Sequence, residues 1–173
     1  MEMLTPVKTH GKLEEMQKSW LVQNEQEMML IGRCLGERAR RGDLFFLCGD
    51  LGSGKTTLTK GLASGLGVTD VVASPTFQIV KGYQGRVPLF HLDLYRLKNA
   101  AELEILEPDQ LTEDGVVVVE WGRLWLEALR PAAYLEIQLT AGTEATGRQV
   151  TFIPHGADYQ RFIEDMQHVY LGN

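Results

Sequence analysis

The stretch Phe45–Gly67, FFLCGDLGSGKTTLTKGLASGLG, decides the fold of this 173-residue chain. An apolar run of strand length, Leu44–Cys48, leads directly into a glycine-rich loop. Thr56–Leu66 then has the pattern of a helix, which Gly67 closes. A strand, a glycine loop and a helix in this order predict an α/β fold built around a phosphate-binding loop.

The eight residues from Gly49 to Thr56 fit the pattern G-x-x-x-x-G-K-[ST] without a gap. Glycines let the backbone curl so that successive N–H groups point at phosphate oxygens, and the start of the helix adds its positive end. Lys55 places a charge on the outer phosphates, and the Thr56 hydroxyl suits Mg²⁺. The alternative, a glycine-rich turn that matches by chance, does not explain the flanking strand and helix. We therefore predict nucleotide binding.

Composition narrows the class of protein. The formal net charge is −6, from 17 basic and 23 acidic side chains, which argues against a chain that grips nucleic acid through a broad basic surface of its own. Cys34 and Cys48 are too few for a disulfide framework or a metal knuckle. Without a long apolar run or a secretion signal, we expect a cytoplasmic protein that does not enter a membrane.

The pattern along the chain predicts a polar N-terminal arm over residues 1–17 and one compact domain over residues 18–173. Strands and helices alternate in the first half, and antiparallel pairs follow later, so we expect a mixed β-sheet flanked by helices. The predicted elements are a strand at Trp20–Val22, a helix from the N-cap Asn24 to Arg40, a hairpin of Phe77–Tyr83 with Val87–Asp93, a short helix AAELEIL capped by Asn99, strands at GVVVVEW, YLEIQLT and QVTFIP, and a last helix over Gly156–Tyr170.

Two carboxylates follow predicted strands. Asp93 comes after VPLFHL and Glu120 after VVVV, and open α/β sheets place their chemistry at strand ends. Glu120 is the stronger candidate for the Mg²⁺ shell, whereas Asp93 suits Mg²⁺, a water next to it, or the base that orients the attacking water. Either carboxylate alone has an ordinary structural interpretation, in which it ends a strand and caps the segment that follows. His91 shares the face of Asp93 and is as readily a hydrogen-bonded structural residue as a catalytic one.

Thr76, in the motif SPTF, lies where a switch threonine reaches the γ-phosphate or Mg²⁺, although Ser-Pro-Thr is also an ordinary entrance to a strand. The chain has no Asn-Lys-x-Asp run to read guanine, which disfavours a GTPase. Arg123 and Arg130 leave a small-molecule kinase open as an alternative function, with Asp93 as its base.

Taken together, the motifs resemble those of the TsaE family of small bacterial P-loop ATPases. GDLGSGKTT, SPTF, HLDLYRL, AELEIL, VVVVEWG and a late Gly-Arg appear in the family's order over about residues 20–153. Two positions depart from the usual pattern: Ser53 stands where the family often has alanine, and Met28 where many members carry threonine.

The resemblance implies an ATPase that is weak alone and stimulated by partners. It would bind and hydrolyse ATP with Mg²⁺ to regulate or reset the TsaD–TsaB transferase pair, which makes threonylcarbamoyladenosine on tRNA, and it would meet tRNA only through that complex. It also implies catalytic roles for Lys55, Thr76, Asp93 and Glu120, metal contacts from Thr56, Asp93 and Glu120, and a partner or switch surface at Trp121. The implied nucleotide contacts are Gly49, Asp50, Leu51, Gly52, Ser53, Gly54, Lys55, Thr56, Thr57 and Arg148. A nucleotide-gated binding module without hydrolysis is a third hypothesis.

Overall fold

The computed structural model describes residues 5–6, 17–75, 78–142 and 147–167, and it leaves the side chains of Thr5, Pro6 and Leu124 undescribed. Within these ranges the strands are β1 Thr5–Pro6, β2 Lys18–Val22, β3 Leu44–Cys48, β4 Val80–Tyr83, β5 Leu89–Asp93, β6 Val116–Glu120, β7 Tyr134–Ala141 and β8 Arg148–His155. The helices in the same ranges are α1 Glu25–Arg38, α2 Lys55–Gly65, α3 Ala100–Glu104, α4 Pro108–Asp114, α5 Arg123–Leu129 and α6 Ala157–Met166.

The strands form one mixed sheet in the order β1-β2-β8-β7-β3-β6-β5-β4. The centre of the sheet is parallel, because β3 pairs in parallel with both β6 and β7, and β5 pairs in parallel with β6. The remaining pairs are antiparallel. The carboxyl ends of β3, β5 and β6 therefore meet at one edge, which is where the glycine-rich loop begins.

Helices cover both faces of the central strands. Side chains alternate along β6, so that Val116 and Val118 pack with α1, α2 and α6, whereas Val117 and Val119 pack with α3, α4 and α5. All four valines are fully buried, as expected for a strand covered on both faces. The prediction of a single α/β domain with a mixed sheet flanked by helices is confirmed.

Helices α1 and α2 pack unusually closely through glycines. Gly32 and Gly36 of α1 face Gly61 and Gly65 of α2, and a β-carbon on any of the four would overlap the backbone of the other helix. This contact fixes the position of α2, whose first residue is Lys55.

Most predicted elements are present, with shifts that have local causes. Helix α1 ends at Arg38 rather than Arg40, because the carboxylate of Asp43 accepts the backbone N–H of Arg40 (2.6 Å) and holds a turn there. Strand β5 starts at Leu89, after Pro88, which has no N–H to donate to a neighbouring strand.

The short helix α3 was predicted and begins after its cap Asn99, whereas α4 and α5 were not predicted, since each has only seven residues and no side-chain cap. The predicted arm over residues 1–17 lies mostly outside the described residues, as do Phe77 of the predicted hairpin and the end of the last helix. Among the described residues, no helix has the length and apolarity needed to cross a membrane.

Candidate functional site

The loop between β3 and α2 has a backbone that other residues would distort. Gly49 has φ 154°, and a β-carbon there would lie 2.5 Å from the carbonyl oxygen of Leu139 and 2.7 Å from the Ser53 hydroxyl. Gly54, the N-cap of α2, has φ 107°, in the left-handed region that L side chains rarely adopt. These glycines curl the loop over the start of α2, the arrangement that presents backbone N–H groups to an anion.

Lys55 lies inside this curl and holds it together. Its side chain is 6% exposed, and Nζ donates to the carbonyl oxygens of Gly49 (2.7 Å) and Asp50 (3.0 Å). The hydroxyl of Ser53 is also buried, and it has no hydrogen-bond partner among the described residues. A buried ammonium and an unsatisfied buried hydroxyl in one concave loop match a phosphate group, which supplies negative charge and acceptor oxygens.

Both strand-end acids lie beside this loop. Glu120, the last residue of β6, pairs in register with Leu47 of β3, and on its other side with Asp93 of β5. Neighbouring strands run about 4.8 Å apart, so the backbones at Glu120 and Asp93 are adjacent. Leu47 is followed by Cys48 and then by the loop, which brings the two acids and the loop to the same edge of the sheet.

His91 holds the carboxylate of Glu120 in place. Both side chains are buried, and Nε2 of His91 lies 2.9 Å from Oε1 of Glu120. Among the described residues this is the one hydrogen bond to that carboxylate, so Oε2 of Glu120 stays available for a ligand. Asp93 is half-buried, and its Oδ1 accepts the backbone N–H of Tyr95 (3.1 Å) in a tight turn. The two acids thus occupy different environments: a buried, oriented carboxylate and a more accessible one.

The site suits a divalent cation that arrives with phosphates. The described residues hold no group of three or more His, Cys, Asp or Glu side chains arranged around a metal. Mg²⁺ commonly takes one or two carboxylates and completes its shell with water and substrate phosphates. Thr56, at the start of α2, with Glu120 and Asp93 at the adjacent strand ends, offers a set of hard oxygen ligands of that kind.

Trp121 borders the loop in a strained backbone conformation. Its φ is 57°, in the left-handed region, which for a bulky residue costs on the order of 1–3 kcal/mol. The ring is 40% exposed, its centroid lies 5.0 Å from Nζ of Lys55, and it packs against Tyr95 with ring centroids 5.2 Å apart. Leu51, at the tip of the loop, is 95% exposed. The loop is therefore flanked by exposed apolar side chains.

A cavity of about 290 Å³ opens on the other side of the loop. Met28 of α1 forms part of its wall. Its side chain lies close to the loop: a β-carbon added to Gly54 would be only 3.1 Å from Cε of Met28. Arg148 lines the cavity, and its guanidinium donates to the carbonyl oxygen of Gly147 (3.0 Å). The lining residues are Val22, Asn24, Glu25, Met28, Gly52, Ser53, Gly54, Thr57 and Arg148.

The structure thus brings most of the predicted site residues together. The loop residues, Glu120, Asp93 and Trp121 meet at one edge of the sheet, and Arg148 lies across the adjoining cavity. Thr76 lies outside the described residues, so its predicted switch role stays a prediction. Tyr95 was not among the predicted site residues, although its alternation with Asp93 along HLDLY was a signal that it lies on the same side.

Comparison with known proteins points to one family. A family model described as "Threonylcarbamoyl adenosine biosynthesis protein TsaE" matches residues 22–150. The chain is 40% identical to the tRNA threonylcarbamoyladenosine biosynthesis protein TsaE of Bacillus subtilis over 152 residues, which is 87% of this chain and 94% of that protein. It is 47% identical to the protein of the same name from Streptomyces coelicolor over 106 residues, covering 59% and 72% of the two chains. The crystal structure of Bacillus subtilis YdiB superposes with a TM-score of 0.74 at 33% identity and covers 96% of this chain and 97% of that one.

Proposed function

Because the chain belongs to the TsaE family, we propose that it is the ATPase component of the machinery that makes threonylcarbamoyladenosine on tRNA. The observation that carries the proposal is the meeting of three strand ends at one edge: β3 leads into the loop that encloses Lys55, and β6 and β5 end in Glu120 and Asp93. The names of the relatives support the pathway, and this geometry supports hydrolysis of a nucleotide within it.

The residues have distinct proposed tasks. The loop N–H groups and Lys55 bind the outer phosphates of ATP; to do so, Lys55 gives up its bonds to Gly49 and Asp50. Mg²⁺, when bound, supplies the positive charge that neutralises the phosphate oxygens. Thr56 and Glu120 would hold that ion, with the Glu120 carboxylate kept in one orientation by His91. Asp93, which is more accessible, is suited to orient the attacking water.

The base and sugar of the nucleotide would occupy the cavity beside the loop. Arg148 and Thr57 line that cavity, and in the sheet order β8, which begins at Arg148, lies on the other side of β3 from the strands that end in Glu120 and Asp93. Its volume of about 290 Å³ is just below the range for small-molecule sites, roughly 300–1,000 Å³. Met28 and Val22 give the wall an apolar part, and Asn24, Glu25, Thr57 and Arg148 give it a polar part, so recognition there would combine packing with hydrogen bonds.

We further propose that the surface formed by Leu51, Tyr95 and Trp121 docks the TsaD–TsaB pair. All three side chains are exposed and apolar in character, and Trp121 touches the same ammonium that would bind phosphate. A change at Lys55 on nucleotide binding therefore reaches the docking surface directly. Contact with tRNA would then belong to the partners, in agreement with a net charge of −6.

Phosphate release from ATP tests the proposal. We expect weak turnover by the chain alone and a rise on addition of TsaD and TsaB. Lys55→Ala should lower turnover by roughly 10²–10³-fold, the usual effect of removing a group that binds developing charge. Lys60→Ala, which removes an exposed lysine from the same helix, is the matched control and should change turnover less than about twofold.

Two results would contradict the proposal at different levels. If TsaD and TsaB neither bind the chain nor change its turnover, the partner assignment is wrong while the ATPase assignment stands. If phosphate is transferred to a metabolite rather than to water, the chain is a small-molecule kinase.

A further inference from the structure

A second and larger cavity lies at the opposite edge of the sheet from the loop. Its volume is about 580 Å³, and it is enclosed by the end of α1, the turn into β3, the loop between β4 and β5, and α6. The turn precedes Leu44, the first residue of β3, whereas the phosphate-binding loop follows Cys48, the last. A five-residue strand separates the two sites by roughly 15 Å. This cavity is therefore not part of the nucleotide site.

Arginines dominate the cavity. The sequence contains ten arginines, and five of them line this cavity: Arg38, Arg40, Arg41, Arg86 and Arg161. Four carboxylates also line it, so the cavity carries one more positive than negative charge in a chain whose net charge is −6. Such a concentration in an acidic protein sets this surface apart from the rest of the molecule.

The carboxylates form few close ion pairs with these arginines, although the charge of Asp43 interacts with Arg40 and Arg86. The carboxylate of Glu37 forms a salt bridge with Arg33 (2.8 Å), and Arg33 does not line the cavity. The carboxylate of Asp43 accepts the backbone N–H of Arg40 (2.6 Å). Asp165 lies 4.0 Å from Arg38, and Asp158 is exposed on the first turn of α6. Within the described residues, no carboxylate oxygen lies within 4.0 Å of the side-chain nitrogens of three arginines: Arg40, Arg86 and Arg161.

Arg86 also removes a feature that would repel an anion. The cavity includes the C-terminal end of α1, where unpaired carbonyl groups carry partial negative charge. One guanidinium nitrogen of Arg86 donates to three of these carbonyl oxygens, on Gly36 (2.6 Å), Glu37 (3.0 Å) and Ala39 (2.7 Å). The helix end is thereby covered by a positive charge, and Arg40 and Arg161 face the same space.

We propose that this cavity binds phosphate groups, as a second anion site separate from the loop. Guanidinium groups bind phosphate through paired N–H donors, and several around one concave surface favour a ligand with more than one phosphate. The volume is that of a small-molecule site. Two sources share this chemistry: a free polyphosphate compound and the backbone of an RNA.

Titration with inorganic tripolyphosphate, followed by calorimetry in about 50 mM salt, tests the proposal. Because the loop also binds phosphates, the measurement uses both the wild-type chain and Lys55→Ala. We expect tripolyphosphate to bind the Lys55→Ala variant. Its affinity should fall at least tenfold when Arg40→Gln and Arg161→Gln are both introduced into that variant. Arg130→Gln, which removes an exposed arginine elsewhere, is the matched control and should weaken binding less than twofold. Thermal unfolding of each variant verifies that it is folded.

The outcomes are separable from those of the proposed ATPase. Absence of tripolyphosphate binding to folded Lys55→Ala would overturn the second site and leave the ATPase untouched. An equal loss of tripolyphosphate affinity in the Arg130→Gln control would also overturn the second site, since binding would then depend on the overall charge of the chain and not on this cavity. A short single-stranded RNA identifies the source: binding of the RNA with the same dependence on Arg40 and Arg161 assigns the site to RNA phosphates, and binding of tripolyphosphate alone assigns it to a small anion.

Discussion

Replacing Gly36 by alanine tests whether the close contact between α1 and α2 holds the domain together. A β-carbon on Gly36 would overlap the carbonyl oxygen of Leu62 and lie 2.9 Å from Cα of Gly65, whereas ordinary contacts are 3.4–4 Å. The helices must therefore move apart by more than the roughly 0.5 Å that separates 2.9 from 3.4 Å, because the carbonyl oxygen of Leu62 is closer to the new β-carbon than Cα of Gly65. The obstructing atoms belong to the backbone, so no side-chain rotation relieves the overlap.

The expected change in the free energy of unfolding is the difference between the cost of overpacking and the gain from replacing a helical glycine. Overpacking of this kind costs about 1–3 kcal/mol, and backbone atoms on both sides place Gly36→Ala at the upper end. Alanine returns about 1 kcal/mol through better helix propensity and a less flexible unfolded chain. We expect a net loss of about 2 kcal/mol in the free energy of unfolding, or a fall in Tm of roughly 4–8 °C for a domain of this size.

Urea unfolding followed by circular dichroism measures this loss. The matched control is Gly82→Ala in β4, where the nearest atoms to a new β-carbon are those of the Phe90 ring at 3.6 Å. That variant should lie within about 0.5 kcal/mol of wild type. If Gly36→Ala unfolds at the same urea concentration as Gly82→Ala, the glycine contact does not set the distance between the helices, and the reasoning is wrong.

Four further predictions concern the site and its surroundings. Glu120→Gln should lower ATP hydrolysis at least tenfold while changing nucleotide affinity only a few-fold, because the loop that we propose to bind phosphate is unchanged; equal hydrolysis would remove Glu120 from the site. Trp121→Ala should leave Tm within about 2 °C of wild type but weaken binding to TsaD–TsaB, since the ring is 40% exposed; a large fall in Tm would make Trp121 a core residue. Burial raises the pKa of Cys34 and of Cys48 to about 11, so alkylation at pH 8 should be slower in the native protein than in urea by on the order of a hundredfold; equal rates would show that the thiols are accessible. Burial also raises the pKa of Asp43, so ionisation of this group costs stability that grows as pH rises above the unfolded pKa and is complete above the folded pKa; Asp43→Asn should be the more stable protein at pH 7, with a difference in urea midpoint that shrinks towards pH 4, and a constant difference would contradict this.

The central fold could be predicted because its signals are local. The loop pattern from Gly49 to Thr56 and the apolar strand that ends at Glu120 are read from consecutive residues, and both elements are present with their predicted order. Helices α4 and α5 were missed because seven residues carry too little periodicity, and such helices form through packing against the sheet. The end of α1 shifted because the carboxylate of Asp43, three residues after Arg40, accepts the backbone N–H of Arg40.

The sequence by itself determined that the chain has a glycine-rich loop with the pattern G-x-x-x-x-G-K-[ST], which residues compose it, and which two acids end strands, since each depends on neighbours along the chain. Only the tertiary structure decided that Glu120 lies between the ends of β3 and β5, that His91 holds it, and that Trp121 contacts Lys55. It also decided that five arginines from separate parts of the chain line one cavity. The physical reason is that strand order and helix placement come from the burial of apolar faces summed over the whole chain, which no single segment specifies.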